Sequence, residues 1–119
     1  MATPTPDEIR TLLSRHVQFW NEDRFDDWIA LWPDDIVNED PNGVTKGKEA
    51  VSVAGWKRAQ PICRLGIKQI AVLGNEGAAV VSNTLTLDAG EMTFDSIEIY
   101  TFGADGSLRV RVFYDPPEG

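Results

Sequence analysis

Cysteine is almost absent from this sequence, basic residues are few, and no long hydrophobic run occurs. The single cysteine, Cys63, has no partner for an intramolecular disulfide and no Cys or His at the spacing of a metal site. This composition favours a reducing compartment, and we expect no bound metal. Charge or glycine interrupts the hydrophobic stretches every few residues, so none approaches the roughly 20 apolar residues of a membrane span. We therefore expect no membrane partner.

The shortage of basic residues makes the protein strongly acidic. The chain has 11 Lys and Arg against 19 Asp and Glu, which gives a formal net charge of −8. Such a charge repels the phosphates of nucleic acids and of anionic lipids, so no nucleic-acid partner is expected. The segment Met1–Glu8 lacks the basic start and the apolar run of a secretory signal, which favours the cytoplasm.

The residues that are present fit one domain over residues 1–119, because 42% of them are hydrophobic, enough for one core. Apolar residues recur with helical spacing over three segments, which predict helices over residues 6–21, 25–32 and about 47–56. The break at residues 21–23 offers an N-cap for the second helix. Pro33 and Pro61 are expected to end the second and third helices.

The rest of the chain has the pattern of strands. Residues 36–40 predict a short strand, and Asp40-Pro41-Asn42-Gly43 has the chemistry of a turn. From Ile62 onward, Gly-containing breaks at residues 74–77, 88–90 and 103–106 divide the chain into four strands. Short turns between consecutive strands indicate an antiparallel meander. Helices gathered at the start of the chain then place the fold in the α+β class.

Glu98 lies on the aromatic face of its predicted strand. Side chains alternate across a strand, so Glu98 shares a face with Phe94, Ser96 and Tyr100. An ionised carboxylate is costly to bury, so Glu98 is expected to be paired, solvated by a cavity, or protonated with a raised pKa. The alternative is that the strand twists enough to place Glu98 at a solvent-exposed (wet) edge of the sheet.

Asp40 and His16 each admit two interpretations. Asp40 is a favoured first residue of a turn, where its side chain bonds the backbone two residues on. Ile36 and Asn38 share its strand face, however, so a functional role stays open. His16, the only histidine, falls on the apolar stripe of the first helix and is expected to point inward. There it is either a hydrogen-bonded core residue or a neutral donor to an oxyanion.

The candidate pocket wall is aromatic. All four tryptophans lie in the predicted helices, where they form core or line a site for a flat apolar ligand: Trp20, Trp28, Trp32 and Trp56. Asn83 shares a strand face with Val81 and Leu85, which makes it a candidate polar anchor.

Two registers are possible for the last strand, and they differ in which residues face the core. Alternation favours an inward face that leaves Arg109 and Arg111 outside, because the other register buries both arginines unpaired. The inward residues are then Leu108, Val110, Val112 and Tyr114. On the outer face of the sheet, Ile97 and Ile99 would be left exposed, so we expect a homodimer.

The order of these motifs resembles the ketosteroid isomerases and the wider nuclear transport factor 2-like, SnoaL-like superfamily. The resemblance covers nearly the whole chain and rests on Leu12–His16, Trp28–Asp35, Glu39–Gly43, Lys46–Ala50, Ile97–Phe102, Asp105-Gly106 and Val112–Pro116. It implies a cone-shaped fold in which three N-terminal helices pack on a curved, mostly antiparallel sheet and enclose a pocket.

The resemblance also implies an activity. Asp40 falls on the aspartate of the Glu-Asp-Pro motif, which in ketosteroid isomerases removes a proton beside a carbonyl and returns it two carbons away. Glu98 falls on the protonated aspartate of the oxyanion hole and His16 on its tyrosine; Glu is one methylene longer than Asp, and imidazole is a different donor from phenol. The implied enzyme is an isomerase of hydrophobic steroid- or polyketide-like carbonyl compounds that uses no metal or cofactor. Its substrate-binding residues would be Trp20, Trp32, Trp56, Asn83, Phe94, Tyr100 and Val112.

Three alternatives stay open at this point. The same fold serves non-catalytic binding or dimerisation modules, and the same acid–base residues serve polyketide cyclases. If His16 instead pairs with Asp40, the geometry favours water activation, as in dehydratases and epoxide hydrolases of this superfamily.

Overall fold

The helices lie in the first half of the chain in the computed structural model, which describes residues 3–114. They are α1 (Pro6–Asn21), α2 (Phe25–Ile29) and α3 (Lys48–Val51), followed by a π-helical segment, Ser52–Lys57, and a 3₁₀ turn, Gln60–Ile62. Of the residues named above, Met1, Asp115 and Pro116 lie outside the described part. Within residues 3–114, no helix has the length and hydrophobicity needed to cross a membrane.

The first helix has the predicted bounds because its N-terminus is fully capped. The Thr5 side chain accepts the N–H of Glu8, the Glu8 carboxylate accepts the N–H of Thr5, and Pro6 begins the helix. Its buried face carries Ile9, Leu13, His16 and Trp20, so the prediction that His16 points inward is confirmed.

The second helix is shorter than predicted and has no side-chain N-cap. Residues 21–23 do not cap it, because the Asn21 amide bonds the backbone of Leu65 on a strand instead. The chain continues past Ile29 in tighter turns, with the N–H of Trp32 bonded to the Ile29 carbonyl at 3.3 Å. Trp32 therefore still lies in the core, where it is 5% exposed.

The third helical region ends before it reaches Pro61, so Pro61 does not terminate it. α3 passes into the π-helical segment at Ser52, and this segment ends at Lys57. Pro61 lies within the following 3₁₀ turn, where its missing N–H is not needed.

Six strands form one sheet in the order β2-β1-β6-β5-β4-β3. Their bounds are Val37–Asp40 (β1), Gly43–Lys46 (β2), Cys63–Leu73 (β3), Glu76–Leu87 (β4), Gly90–Phe102 (β5) and Leu108–Phe113 (β6). β3 to β6 form the predicted antiparallel meander, and the parallel pairing of β1 with β6 joins the short hairpin to it. The α+β class and the curved, mostly antiparallel sheet are thus confirmed.

The β1–β2 hairpin uses the predicted turn. Gly43 has φ of +134°, a conformation that glycine adopts readily and other residues rarely adopt. The Asp40 Oδ1 atom accepts the N–H of Asn42 at 2.8 Å, so the turn role of Asp40 is confirmed.

A bulge in β3 lets both halves of this long strand face the core. The register against β4 shifts between Ile67 and Gln69, which inserts one extra residue. Leu65 before the bulge and Ile70 after it both pack against the core, although strict alternation would place them on opposite faces. A bulge of this kind also bends its strand.

The last strand adopts the predicted register. Leu108 and Val110 are buried, while Arg109 and Arg111 lie on the outer face in ion pairs with Glu39 and Glu76. Tyr114 follows the end of β6, where its ring lies 5.4 Å from that of Phe94.

Helix α1 contacts the sheet at Gly77 of β4. A Cβ atom at Gly77 would lie 2.6 Å from the Ile9 Cγ2 atom and 3.4 Å from a Leu13 methyl group. The first distance is below any normal carbon–carbon contact, and Ile9 is completely buried. The close approach of helix and sheet therefore requires glycine.

We expect Gly77→Ala to lower the free energy of unfolding by about 1–3 kcal/mol, because the added methyl group overpacks a closed core. Gly55→Ala is the matched control, since its nearest neighbour would lie at an ordinary 3.7 Å. The control should be neutral or stabilising by up to about 1 kcal/mol. Urea unfolding of both variants measures this; equal stability of Gly77→Ala and wild type would contradict the close contact.

Candidate functional site

A cavity of about 230 Å³ lies between the helices and the inner face of the sheet. Its aromatic lining is Trp20, Trp28, Trp32 and Tyr100. Its polar lining is His16, Asn38, Asp40, Thr45, Asn83 and Glu98. The rest of the wall is largely apolar, so the site has the general character of a small-molecule pocket.

Glu98 is the centre of a buried polar cluster at this wall. Its Oε1 atom accepts a 2.6 Å hydrogen bond from the Tyr100 hydroxyl, which lies two residues along the same strand face. The Nε2 atom of His16 lies 3.6 Å from the same oxygen. Glu98 and His16 are each 8% exposed. Of the three environments expected for Glu98, the structure therefore has the paired one, and the wet-edge alternative is wrong.

Trp28 determines which nitrogen of His16 carries the proton. The Trp28 Nε1 group, which can only donate, lies 2.9 Å from the His16 Nδ1 atom. Nδ1 is the acceptor of this contact, so the N–H group that His16 can donate is on Nε2, which faces Glu98.

The surroundings of Glu98 favour its ionised form. Burial raises the pKa of the Glu98 carboxyl, but the N–H group and the charge of His16, followed by the Tyr100 hydroxyl, outweigh burial, and the pKa lies below its ordinary value. The expectation of a protonated Glu98 with a raised pKa is thus corrected. Burial first, and then the adjacent Glu98 charge, raise the pKa of Tyr100 well above its usual value, so the phenol keeps its proton and donates.

Asp40 reaches the same cavity from the end of β1. Its Oδ1 atom is held by the hairpin turn, whereas its Oδ2 atom accepts no hydrogen bond from any residue in the described range. Asp40 therefore stabilises the hairpin turn through Oδ1 and also lines the cavity. It does not pair Asp40 with His16, whose two nitrogens face Trp28 and Glu98.

Asn83 lies on the cavity wall with its amide nitrogen committed to the sheet. The Nδ2 group donates to the Ser96 hydroxyl at 2.9 Å and to the Val81 carbonyl at 3.1 Å. The Oδ1 atom has no donor among residues 3–114, so it is the part of Asn83 that remains for a ligand.

Trp20, Trp32 and Val112 also line the cavity, but the assignments of Trp56 and Phe94 to this wall are corrected. The π-helical segment presents Ala54 and Gly55 to the cavity, and Trp56 packs behind them, 5.1 Å from the Trp28 ring centre. Phe94 shares the Glu98 face but lies farther along β5, where its ring contacts Tyr114.

Sequence reasoning missed the hydrogen bond from Trp28 to His16 and the contributions of Asn38 and Thr45 to the wall. Asn38 was detectable, because it alternates with Asp40 on one strand face. The Trp28 contact joins residues 12 positions apart in two different helices, and no local pattern predicts it. In the described part of the chain, no group of three or more His, Cys, Asp or Glu residues is arranged to hold a metal ion.

We expect the stability contributed by the Glu98 charge to depend on pH. Because the folded-state pKa is depressed, this contribution is present above the unfolded value of about 4.3 and is lost as pH falls through the folded value. The difference in free energy of unfolding between wild type and Glu98→Gln should therefore shrink as pH falls from 6 towards about 3.

Urea unfolding across this pH range measures the difference, with Glu91→Gln, an exposed position on the same strand, as the control for loss of a carboxylate. A wild-type to Glu98→Gln difference that stays constant with pH would contradict the depressed pKa.

Comparison with known proteins gives a consistent result. Residues 13–111, most of the chain, match the SnoaL-like domain family. No curated protein matches the sequence.

Several solved structures share the fold. An NTF2-like protein of unknown function from Cytophaga hutchinsonii is 16% identical, with 90% of this chain and 89% of that chain covered and a TM-score of 0.75. One from Burkholderia pseudomallei is 13% identical, with 89% of each chain covered and a TM-score of 0.76. A Mycobacterium tuberculosis protein in complex with estradiol-17β-hemisuccinate is 18% identical, with 89% of this chain and 92% of that chain covered and a TM-score of 0.73.

Proposed function

Because this chain belongs to the SnoaL-like domain family, we propose that it is an enzyme that moves a proton beside the carbonyl of a compact hydrophobic molecule. The family fold and the cavity support a small-molecule-binding or catalytic module. One observation carries the finer proposal: Asp40, with a free carboxylate oxygen, and the His16–Glu98–Tyr100 cluster line the same apolar cavity.

Asp40 is the proposed base. Its Oδ2 atom is free to take a proton from the carbon next to the carbonyl, while Oδ1 remains bonded to the hairpin and fixes the carboxylate. The C–H electron pair becomes a C=C bond, and the carbonyl π electrons move to oxygen. The protonated Asp40 then returns its proton to another carbon of the resulting enolate.

His16 is the proposed donor to the enolate oxygen. Its Nε2–H group lies 3.6 Å from Glu98, which is longer than an ordinary hydrogen bond, so it remains able to donate to a substrate oxygen. The ionised Glu98 has a different role from the one the resemblance implies: with Trp28 it holds His16 in the donating tautomer. A positioned N–H donor of this kind stabilises a developing oxyanion.

The proposed substrate is steroid- or polyketide-like but compact. The cavity, at about 230 Å³, is below the roughly 300–1,000 Å³ of common ligand pockets. A larger molecule would therefore insert one end and leave the remainder outside. The steroid ester bound by the mycobacterial structure supports a steroid-like ligand for this fold.

We expect Asp40→Asn to lower the isomerisation rate of a 5-ene-3-ketosteroid by about 10²–10⁴-fold, because the amide cannot accept the proton. The amide oxygen still accepts the N–H of Asn42, so the hairpin is retained. Asp35→Asn, at an exposed position, is the matched control. Conjugated enone absorbance follows the reaction; equal turnover by Asp40→Asn and wild type would remove Asp40 as the base.

The second candidate is a binding module without catalysis, and the ionised state of Glu98 favours it, because a carboxylate cannot donate to an oxyanion. In that case apolar ketones would quench the cavity tryptophans equally in wild type and Asp40→Asn, with no turnover in either.

We also propose a homodimer through the outer face of the sheet. Val80, Ile97 and Phe113 are directly opposite one another on three adjacent strands, and Ile97 and Phe113 are 46% and 50% exposed. Ion pairs, including Lys68 with Asp95, lie on the same outer face. An apolar centre with a charged rim is the usual composition of a protein interface.

We expect Ile97→Lys to convert a dimer to a monomer, because it places a charge at the centre of the buried patch. Leu73→Lys, at an 86% exposed position at the end of β3, should leave the assembly unchanged. Light scattering coupled to size-exclusion chromatography gives the mass of each; a monomeric wild type would refute the proposed dimer.

A further inference from the structure

One hydrogen-bond donor of the cavity wall is buried without a partner. Trp32 lines the cavity and is 5% exposed, and its Nε1 atom donates to no residue between 3 and 114. An indole N–H group can only donate, so nothing but an acceptor satisfies it. Leaving a buried donor unpaired is unfavourable, and native proteins rarely do so without a reason.

The other two tryptophans that line the cavity both have acceptors within the fold. The Nε1 group of Trp20 donates to the Cys63 carbonyl at 3.0 Å, and that of Trp28 donates to the Nδ1 atom of His16 at 2.9 Å. Both indoles are buried as deeply as Trp32, with exposures of 5% and 3%. The described part of the chain therefore supplies acceptors for two of these three indole donors and leaves Trp32 without one.

Neighbouring rings hold the Trp32 ring in its position. It stacks on Tyr100, with 17° between the ring planes and 6.1 Å between the ring centres. It also meets the rings of Trp28 and His16 edge to face, with centres 5.8 and 5.3 Å away. The donor is thus preorganised, so a ligand that accepts from it does not incur the cost of ordering the side chain.

We propose that the Nε1–H group of Trp32 donates to the carbonyl oxygen of the bound ligand, as a second donor beside the Nε2–H group of His16. This inference deepens the proposed function and rests on it for the choice of a carbonyl. The two donors belong to neighbouring rings, and a carbonyl oxygen has two lone pairs with which it can accept from both. A ligand group that can only donate, such as an ammonium, would leave the indole N–H unpaired.

Cyclohexanone and methylenecyclohexane test the inference in the wild-type protein, because they have nearly the same shape and only the ketone has an oxygen that accepts a hydrogen bond. In protein labelled with ¹⁵N on tryptophan, each indole N–H group gives its own NMR resonance, and that of Trp32 is identified by its loss when Trp32 is replaced. We expect cyclohexanone to shift the Trp32 indole proton downfield, as hydrogen bonding does. Methylenecyclohexane fills the same space and should give no downfield shift.

Replacement of the Trp32 indole by benzothiophene, through incorporation of β-benzothienylalanine, measures what the donor contributes to binding. Sulfur then occupies the position of Nε1, so the donor is lost while the ring keeps its size. We expect ketone binding to weaken about threefold to tenfold, within the range of one neutral hydrogen bond, and alkene binding to stay within about twofold of wild type. Each probe is compared with itself in wild type, so the difference in hydration between ketone and alkene cancels.

Two further variants separate the N–H group from ring packing. Trp32→Phe removes the same donor with a smaller ring and should weaken ketone binding more than alkene binding. Trp56→Phe is the matched control, because it shortens an indole that packs behind the wall, and it should keep the ketone-specific shift of Trp32. Circular dichroism checks the fold of each variant, and the wild-type shift remains decisive if a variant does not fold.

Three results would each overturn the inference. The first is the absence of a ketone-specific downfield shift of the Trp32 indole proton at the highest ketone concentration. The second is equal ketone affinity in wild type and the folded benzothienyl variant. The third is an equal loss of ketone and alkene affinity in that variant, which would assign the effect to packing instead of the N–H group.

Failure of the proposed reaction gives a different result. A protein whose Trp32 resonance shifts with ketone but which does not isomerise the ketosteroid would retain Trp32 as the carbonyl donor and lose the proposed reaction. A protein that isomerises the ketosteroid by way of Asp40 but shows no Trp32 shift would retain the reaction and lose Trp32 as the donor.

Discussion

The hydrogen bond from Trp28 to His16 sets the chemistry of the whole cavity. Because the indole N–H can only donate, Nδ1 of His16 must accept, and the proton that the ring can donate is on Nε2. The proton faces Glu98, whose pKa is lowered by His16 and Tyr100 despite the opposing effect of burial. One contact between two helices therefore orients the donor that stabilises the Glu98 carboxylate at the cavity wall.

The scaffold that holds this cluster depends on a few close contacts. Gly77 lets α1 approach the sheet, and the Asn21 amide bonds both backbone groups of Leu65 at the far end of the same helix. The bulge after Ile67 turns the second half of β3 back onto the core. Together these features place His16 over the middle of β5, where Glu98 faces inward.

The same arrangement explains why family likeness leaves the ligand open. Relatives of 13–18% identity share the fold, but the charge state of a cavity depends on a handful of side chains. A carbonyl oxygen needs donors, and the described cavity wall offers the N–H groups of His16 and of Trp32, whose Nε1 atom is buried without a hydrogen-bond partner. Which ligand is favoured follows from the Glu98 cluster and not from the shape of the fold.

Local chemistry in the sequence determined much of this protein: the bounds of α1 through its capping box, the turn at Asp40, the meander after Ile62 and the outward register of Arg109. Each follows from periodicity, capping or the cost of burying charge, which act over a few residues. Only the tertiary structure decided that Trp28 bonds His16, that Trp56 packs behind the wall, and that His16 and Tyr100 both contact Glu98. Those outcomes depend on atoms brought together from separate elements, and no spacing along the chain encodes such distances.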